Sequence, residues 1–213
     1  MRRVAAAVAL LLFGLASAAA QVTTKGPLSD NAVTPAEMGR RLEEQALQVK
    51  AMGQHADRIA LVDFAWPTTP EEYRANAKSV IVLIVVVSSN EKEIPLKQAY
   101  VRANGRTVPL QRIASKRSTI PEDAAVASTV GRFREDSFYL APASAMMRKG
   151  DLLVDFAINR SGFRLYELPG TPPDFVRADR NPSPPPGAKP DATTLRAAIE
   201  REYPGFDMTL DLR

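Results

Sequence analysis

The chain has 213 residues, with 28 Lys and Arg against 24 Asp and Glu, one His and no Cys. The absence of thiols excludes a disulfide framework and, with a single imidazole, a structural zinc site. The formal charge is +4; setting aside Arg2 and Arg3 as leader residues leaves 26 basic against 24 acidic side chains, too even a balance for a nucleic-acid-binding face.

Residues 1–20 read as a secretory signal peptide. Met1-Arg2-Arg3 is a positive start, Val4 to Leu15 an apolar stretch, and Ala16-Ser17-Ala18 or Ala18-Ala19-Ala20 a small-residue cleavage site. An exported, cysteine-free chain is expected in a bacterial periplasm or medium, with no transmembrane segment after cleavage. The remaining residues, about 190, suffice for one sizeable core.

Residues 21–33 are polar and turn-rich, a predicted flexible lead-in. Thr34, Pro35 and Glu37 then form a helix start of the capping-box kind. Met38, Leu42, Ala46 and Val49 recur at helical spacing, which predicts an amphipathic helix ending near Gly53. From Arg58 to Trp66 the pattern alternates: Ala60, Val62, Phe64 and Trp66 share one face, and Ile59, Leu61 and Asp63 the other. Thr69-Pro70-Glu71-Glu72 predicts a short helical turn through Tyr73.

Val80 to Val87 is unbroken and apolar, and every member but Leu83 is β-branched. It reads as a strand buried on both faces at the centre of the core. A charged turn, Asn90 to Glu93, follows. Asn104-Gly105 predicts a type I′ hairpin that sets Val101 against Val108 and Ala99 against Leu110, with Pro109 marking an edge.

Residues 114–131 read as a long loop. Arg112, Lys116, Arg117, Arg132 and Arg134 bracket it and make a candidate basic binding surface. Ser137 to Leu140 is a predicted strand, Pro142 to Lys149 a helical turn, and Asp151 to Asn159 a strand returned by Phe163, Leu165 and Tyr166. The fold class these elements predict is mainly β. It is expected to be an immunoglobulin-like or related antiparallel β-sandwich over residues 34–168, with an N-terminal amphipathic helix.

Eight prolines between Pro169 and Pro190 predict a semi-rigid spacer over residues 169–190. Beyond it, residues 191–213 read as a helix–strand unit. Phe206, Met208 and Leu210 alternate there with Asp207, Thr209 and Asp211, a strand able to add to a partner's sheet.

Catalytic patterns are sparse. No nucleophile elbow and no phosphate-binding glycine loop occurs. His55 follows the first helix as a surface residue. Ser89-Asn90-Glu91-Lys92 has the S-x-x-K spacing, but it leaves a strand for a turn and so lacks the helical geometry. Asp63 and Asp155 are the two carboxylates worth testing as a pair. No catalytic, metal or cofactor residue is assigned. The expectation is an exported, non-enzymatic binding protein of the bacterial envelope, its partner another envelope or secreted protein. The alternatives are an exported hydrolase using carboxylates or a bound metal, and an inhibitor or accessory subunit of an exported enzyme.

Overall fold

The computed structural model of the protein describes residues 21–24, 35–94, 96–156, 163–167 and 172–188. The expected leader, Thr34, the turn at Arg160-Ser161-Gly162 and the unit 191–213, with Phe206, Met208 and Leu210, lie outside them. The strands in chain order are β1 (Gln21–Thr24), β2 (Arg58–Ala65), β3 (Ser79–Ser88), β4 (Leu96–Ala103), β5 (Arg106–Pro109), β6 (Gln111–Thr119), β7 (Phe133–Pro142), β8 (Asp151–Phe156) and β9 (Phe163–Glu167). The helices are α1 (Pro35–Ala51), α2 (Pro70–Ala75), α3 (Ala125–Thr129), α4 (Ala143–Met146) and α5 (Asp174–Arg177).

The strands form two sheets, so the protein is mainly β. One has the order β1-β2-β3-β7-β6 and the other β5-β4-β8-β9. Among the described strands only β1 and β2 run parallel; the other pairings are antiparallel.

β3 sits in the middle, and all ten of its residues are buried. Its two faces feed two cores. Val80, Val82, Ile84 and Val86 meet the second sheet through Ala99, Val101, Leu152 and Val154. Ile81, Leu83, Val85 and Val87 lie under α1, against Met38, Leu42, Ala46 and Val49. Each such aliphatic side chain contributes about 1.5–3 kcal/mol on burial. The order is therefore helix, sheet, sheet, and the expected double burial of the central strand holds. α1 ends where predicted: Gly53 takes φ +65, and Gln54 N donates to Val49 O at 3.1 Å, as in a Schellman cap.

The hairpin also forms in the predicted register, with Val101 opposite Val108 and Asn104 and Gly105 both at positive φ. Pro109 ends β5 at the edge of its sheet. Thr69 caps α2 by accepting from Glu72 N at 3.1 Å.

Three predictions are corrected. The loop predicted over residues 114–131 begins instead inside strand β6, which runs from Gln111 to Thr119. A flexible lead-in is predicted at 21–33, yet Gln21–Thr24 runs parallel to β2, in register with Ile59 to Val62. Of the predicted spacer, residues 172–188 lie on the domain. Val176 is fully buried there, and the Phe175 ring stands 6.0 Å from that of Tyr73. Two consecutive apolar side chains inside the proline-rich run pack on the core, beside polar contacts from Lys78 to Asp179 and Asn181.

Candidate functional site

The basic residues singled out in the sequence gather mainly on β6 and β7, not on a loop. The loop reading failed because the alternation in β6 is not apolar. Ser115 to Thr119 are all exposed, and what holds them is a row of partners on β7. Lys116 stands opposite Asp136, and Arg117 opposite Glu135. Opposite charges across a ladder stabilise it as an aliphatic pair would.

A bulge sets the geometry. The β6–β7 register shifts between Arg112 and Ala114. In a regular strand Arg112 and Arg117, five residues apart, would face opposite ways; one extra residue brings both to the inner face. Both then reach Glu135, which is completely buried. Arg112 Nη2 donates to Glu135 Oε1 and, at 3.0 Å, to Ser137 Oγ. Arg117 Nε donates to Oε2 at 3.1 Å, while Ser137 Oγ and Leu96 N donate to Oε1 at 2.8 and 3.3 Å. Arg112 Nη1 also donates to Leu96 O at 3.0 Å. Leu96 opens β4, so this cluster ties the two sheets together. The Tyr139 hydroxyl belongs to the same surroundings: burial pushes it up to about 12, with Arg112 opposing.

Asp136 faces the other way, toward α1. Arg134 Nε donates to its Oδ1 at 2.9 Å. Burial pushes the Asp136 carboxyl up, and the Arg134 guanidinium and Lys116 oppose that rise. Arg132 is not part of this group. It closes the excursion that carries α3, donating to Ile120 O at 3.1 Å and pairing with Glu122. Arg112, Lys116, Arg117 and Arg134 thus come together around two carboxylates, and the pair of strands keeps a net positive charge.

Asp63 and Asp155 are not a pair. Asp63 is buried beneath α1, with Arg41 Nη1 at 3.3 Å. Asp155 accepts from the Tyr100 hydroxyl on the second sheet, between β4 and β8. The core between the two sheets separates them. His55 is exposed, and Ser89 and Lys92 sit in a turn where Asn90 Oδ1 accepts from Lys92 N. Among the described residues no group of three or more His, Asp and Glu could hold a metal, and no helix is long and apolar enough to cross a membrane.

A second polar arrangement escaped the sequence reading. Ala77 and Lys78, neither a glycine, take φ +49 and +58 after α2. Left-handed backbone of this kind costs of order 1–3 kcal/mol per residue. It brings Lys78 Nζ within 2.8 Å of Asp179 Oδ2 and 2.6 Å of Asn181 O. The Tyr73 hydroxyl donates to the same carboxylate at 3.2 Å, and a cleft of about 320 Å³ opens beside Pro70, Arg74 and Phe175. Burial, and then the carboxylate, raise the Tyr73 hydroxyl; the Lys78 hydrogen bond leads in lowering Asp179. Two non-glycine residues give no sequence signal for that conformation, and Asp179 lies over a hundred positions from its partners.

Comparison with protein-family models, with curated proteins and with solved structures finds no match for the chain.

Proposed function

We propose that this chain is an exported, non-enzymatic interaction protein of the bacterial envelope, and that its contact surface is the basic edge formed by β6 with β7. Export is supported by the positive, apolar and small-residue segments of residues 1–20. The observation that carries the reading is the edge itself. Five consecutive exposed side chains, Lys116 and Arg117 among them, lie on a strand at the end of the sheet; Arg112 and Arg134 stand beside them, and the two anionic residues, Glu135 and Asp136, are buried. A surface of one sign on a rigid element speeds and orients encounter with an oppositely charged partner. The hydrolase alternative loses the Asp63–Asp155 pair as its support, since Asp63 lies on β2 beneath α1 and Asp155 on β8 of the second sheet.

The test uses a photo-cross-linking amino acid at Ser118, with the same group at Gln48 on the exposed side of α1 as control, in bacterial cells exporting the chain. The expected result is fractionation with the envelope and a light-dependent adduct from position 118 alone. Retention in the cytoplasm, or identical adducts from both positions, would sink the reading.

A further inference from the structure

We propose that the free edge of β6 takes up an extended acidic segment of its partner as an added strand. This rests on the interaction reading above and names the chemistry of the partner. Among the described residues nothing pairs with the outer side of β6. The other sheet ends are shorter templates: β1 and β5 have four residues each and β9 five, and β5 carries Pro109. β6 has nine. Its one bulge falls near its start, so from Ala114 to Thr119 the register with β7 is unbroken and contains no proline. Six residues of straight edge present about 20 Å of backbone donors and acceptors.

Charge then selects the occupant. The Lys116 and Arg117 side chains lie on opposite faces of the strand, toward Asp136 and Glu135. An added strand therefore meets positive charge on both its faces, which suits acidic residues at adjacent or alternate positions. Arg117 is held by a fully buried carboxylate, yet its side chain stays 60% exposed, so its charge is positioned without being covered. The same charges oppose a second copy, because two β6 edges would bring like charges together. The edge is thus closed to self-pairing and open to an acidic strand.

The experiment uses the full exported chain and a synthetic peptide alternating Asp with Val and Thr. A Lys-for-Asp peptide is the control. The acidic peptide is expected to bind, more weakly as salt rises, while the basic one does not. Backbone addition has its own signature: alternate amides among residues 115–119 gain protection from hydrogen exchange. The variant carrying Ser118→Glu and Thr119→Glu, both exposed positions, is expected to bind about tenfold more weakly with an unchanged melting temperature. Three results overturn the proposal: no binding of the acidic peptide, binding without alternating protection at 115–119, or alternate amides already protected in the free chain. If any of these occurs while the Ser118 adduct persists, the strand mode falls and the interaction reading stands.

Discussion

Glu135 and Asp136 are neighbours on one strand, yet they face different layers and meet different surroundings. Glu135 turns inward between the sheets and receives two guanidiniums, a hydroxyl and a backbone amide. Asp136 turns toward α1, with one guanidinium in hydrogen-bonding contact and Lys116 opposite. For Asp136, burial outweighs its cations and its carboxyl is held above the ordinary range. The difference teaches what a buried carboxylate requires here. For Asp136, proximity to cations does not offset the water lost on burial.

The largest effect should come from emptying the better-served site. Glu135→Ala takes the counter-charge from Arg112 and Arg117 and leaves Ser137 Oγ and the Leu96 amide without their buried acceptor. Each buried donor left unsatisfied costs about 1–3 kcal/mol, and the lost ion pairs add a smaller, solvent-screened share, so a loss of about 3–5 kcal/mol is expected, a large part of the stability of a single domain. Urea unfolding at neutral pH measures it; a loss below about 1 kcal/mol would mean the pocket is wet.

The register that assigns the two faces can also be attacked. β7 begins just after Gly131, where a Cβ would lie 2.3 Å from Ser89 N and 2.4 Å from Ser88 O. Slipping β7 by one residue would exchange the faces of Glu135 and Asp136. Gly131→Ala must therefore push the strand entry away from β3, at about 1–3 kcal/mol. Thermal unfolding of the variant checks this, and an unchanged midpoint would show that the close approach relaxes freely.

The two arginines on Glu135 divide unequally. Arg112 binds the carboxylate, Ser137 and the Leu96 carbonyl, so it links both sheets; its side chain is 34% exposed. Arg117 has its one hydrogen bond from Nε and is mostly solvated. Arg112→Ala should cost about 1.5–3 kcal/mol and Arg117→Ala below about 1 kcal/mol. Equal losses would contradict the role of Arg112 as the link.

Much of this frame was legible in the chain. Val80 to Val87 carries its double burial in composition alone, and Asn104-Gly105 states the hairpin register because only a few residues tolerate positive φ at both positions. The α1 stripe is equally plain. What stayed hidden depends on partners far apart in sequence. β6 reads as a loop because its strand character resides in charges answered by β7. The joint approach of Arg112 and Arg117 to Glu135 depends on a bulge, which no residue type announces. Phe175 and Val176 vanish in a proline-rich segment until Tyr73 is placed beside them.

The smallest effect separates the buried Asp136 from the surface clasp at Asp179. The folded state of Asp136 holds its proton more tightly than the unfolded chain does. Its charge therefore detracts from stability at neutral pH, and that penalty is relieved as pH falls through its raised value. Asp179 has the opposite sign. Its carboxyl is lowered chiefly by Lys78, so it contributes stability above the ordinary Asp value of about 3.9, and that contribution is lost as pH falls through the lowered folded value. Asp179 is partly exposed, so solvent screening keeps its share modest. Carboxyl chemical shifts followed from pH 7 to 2 should place the Asp136 midpoint above the ordinary value and the Asp179 midpoint below it. At the acid end, amides of residues 174–181 should exchange faster while those of β3 remain protected. Coincident midpoints would remove the distinction between a carboxylate short of donors and one drawn down by an ammonium. Simultaneous loss of β3 protection would show that the clasp and the sheet unfold as one unit.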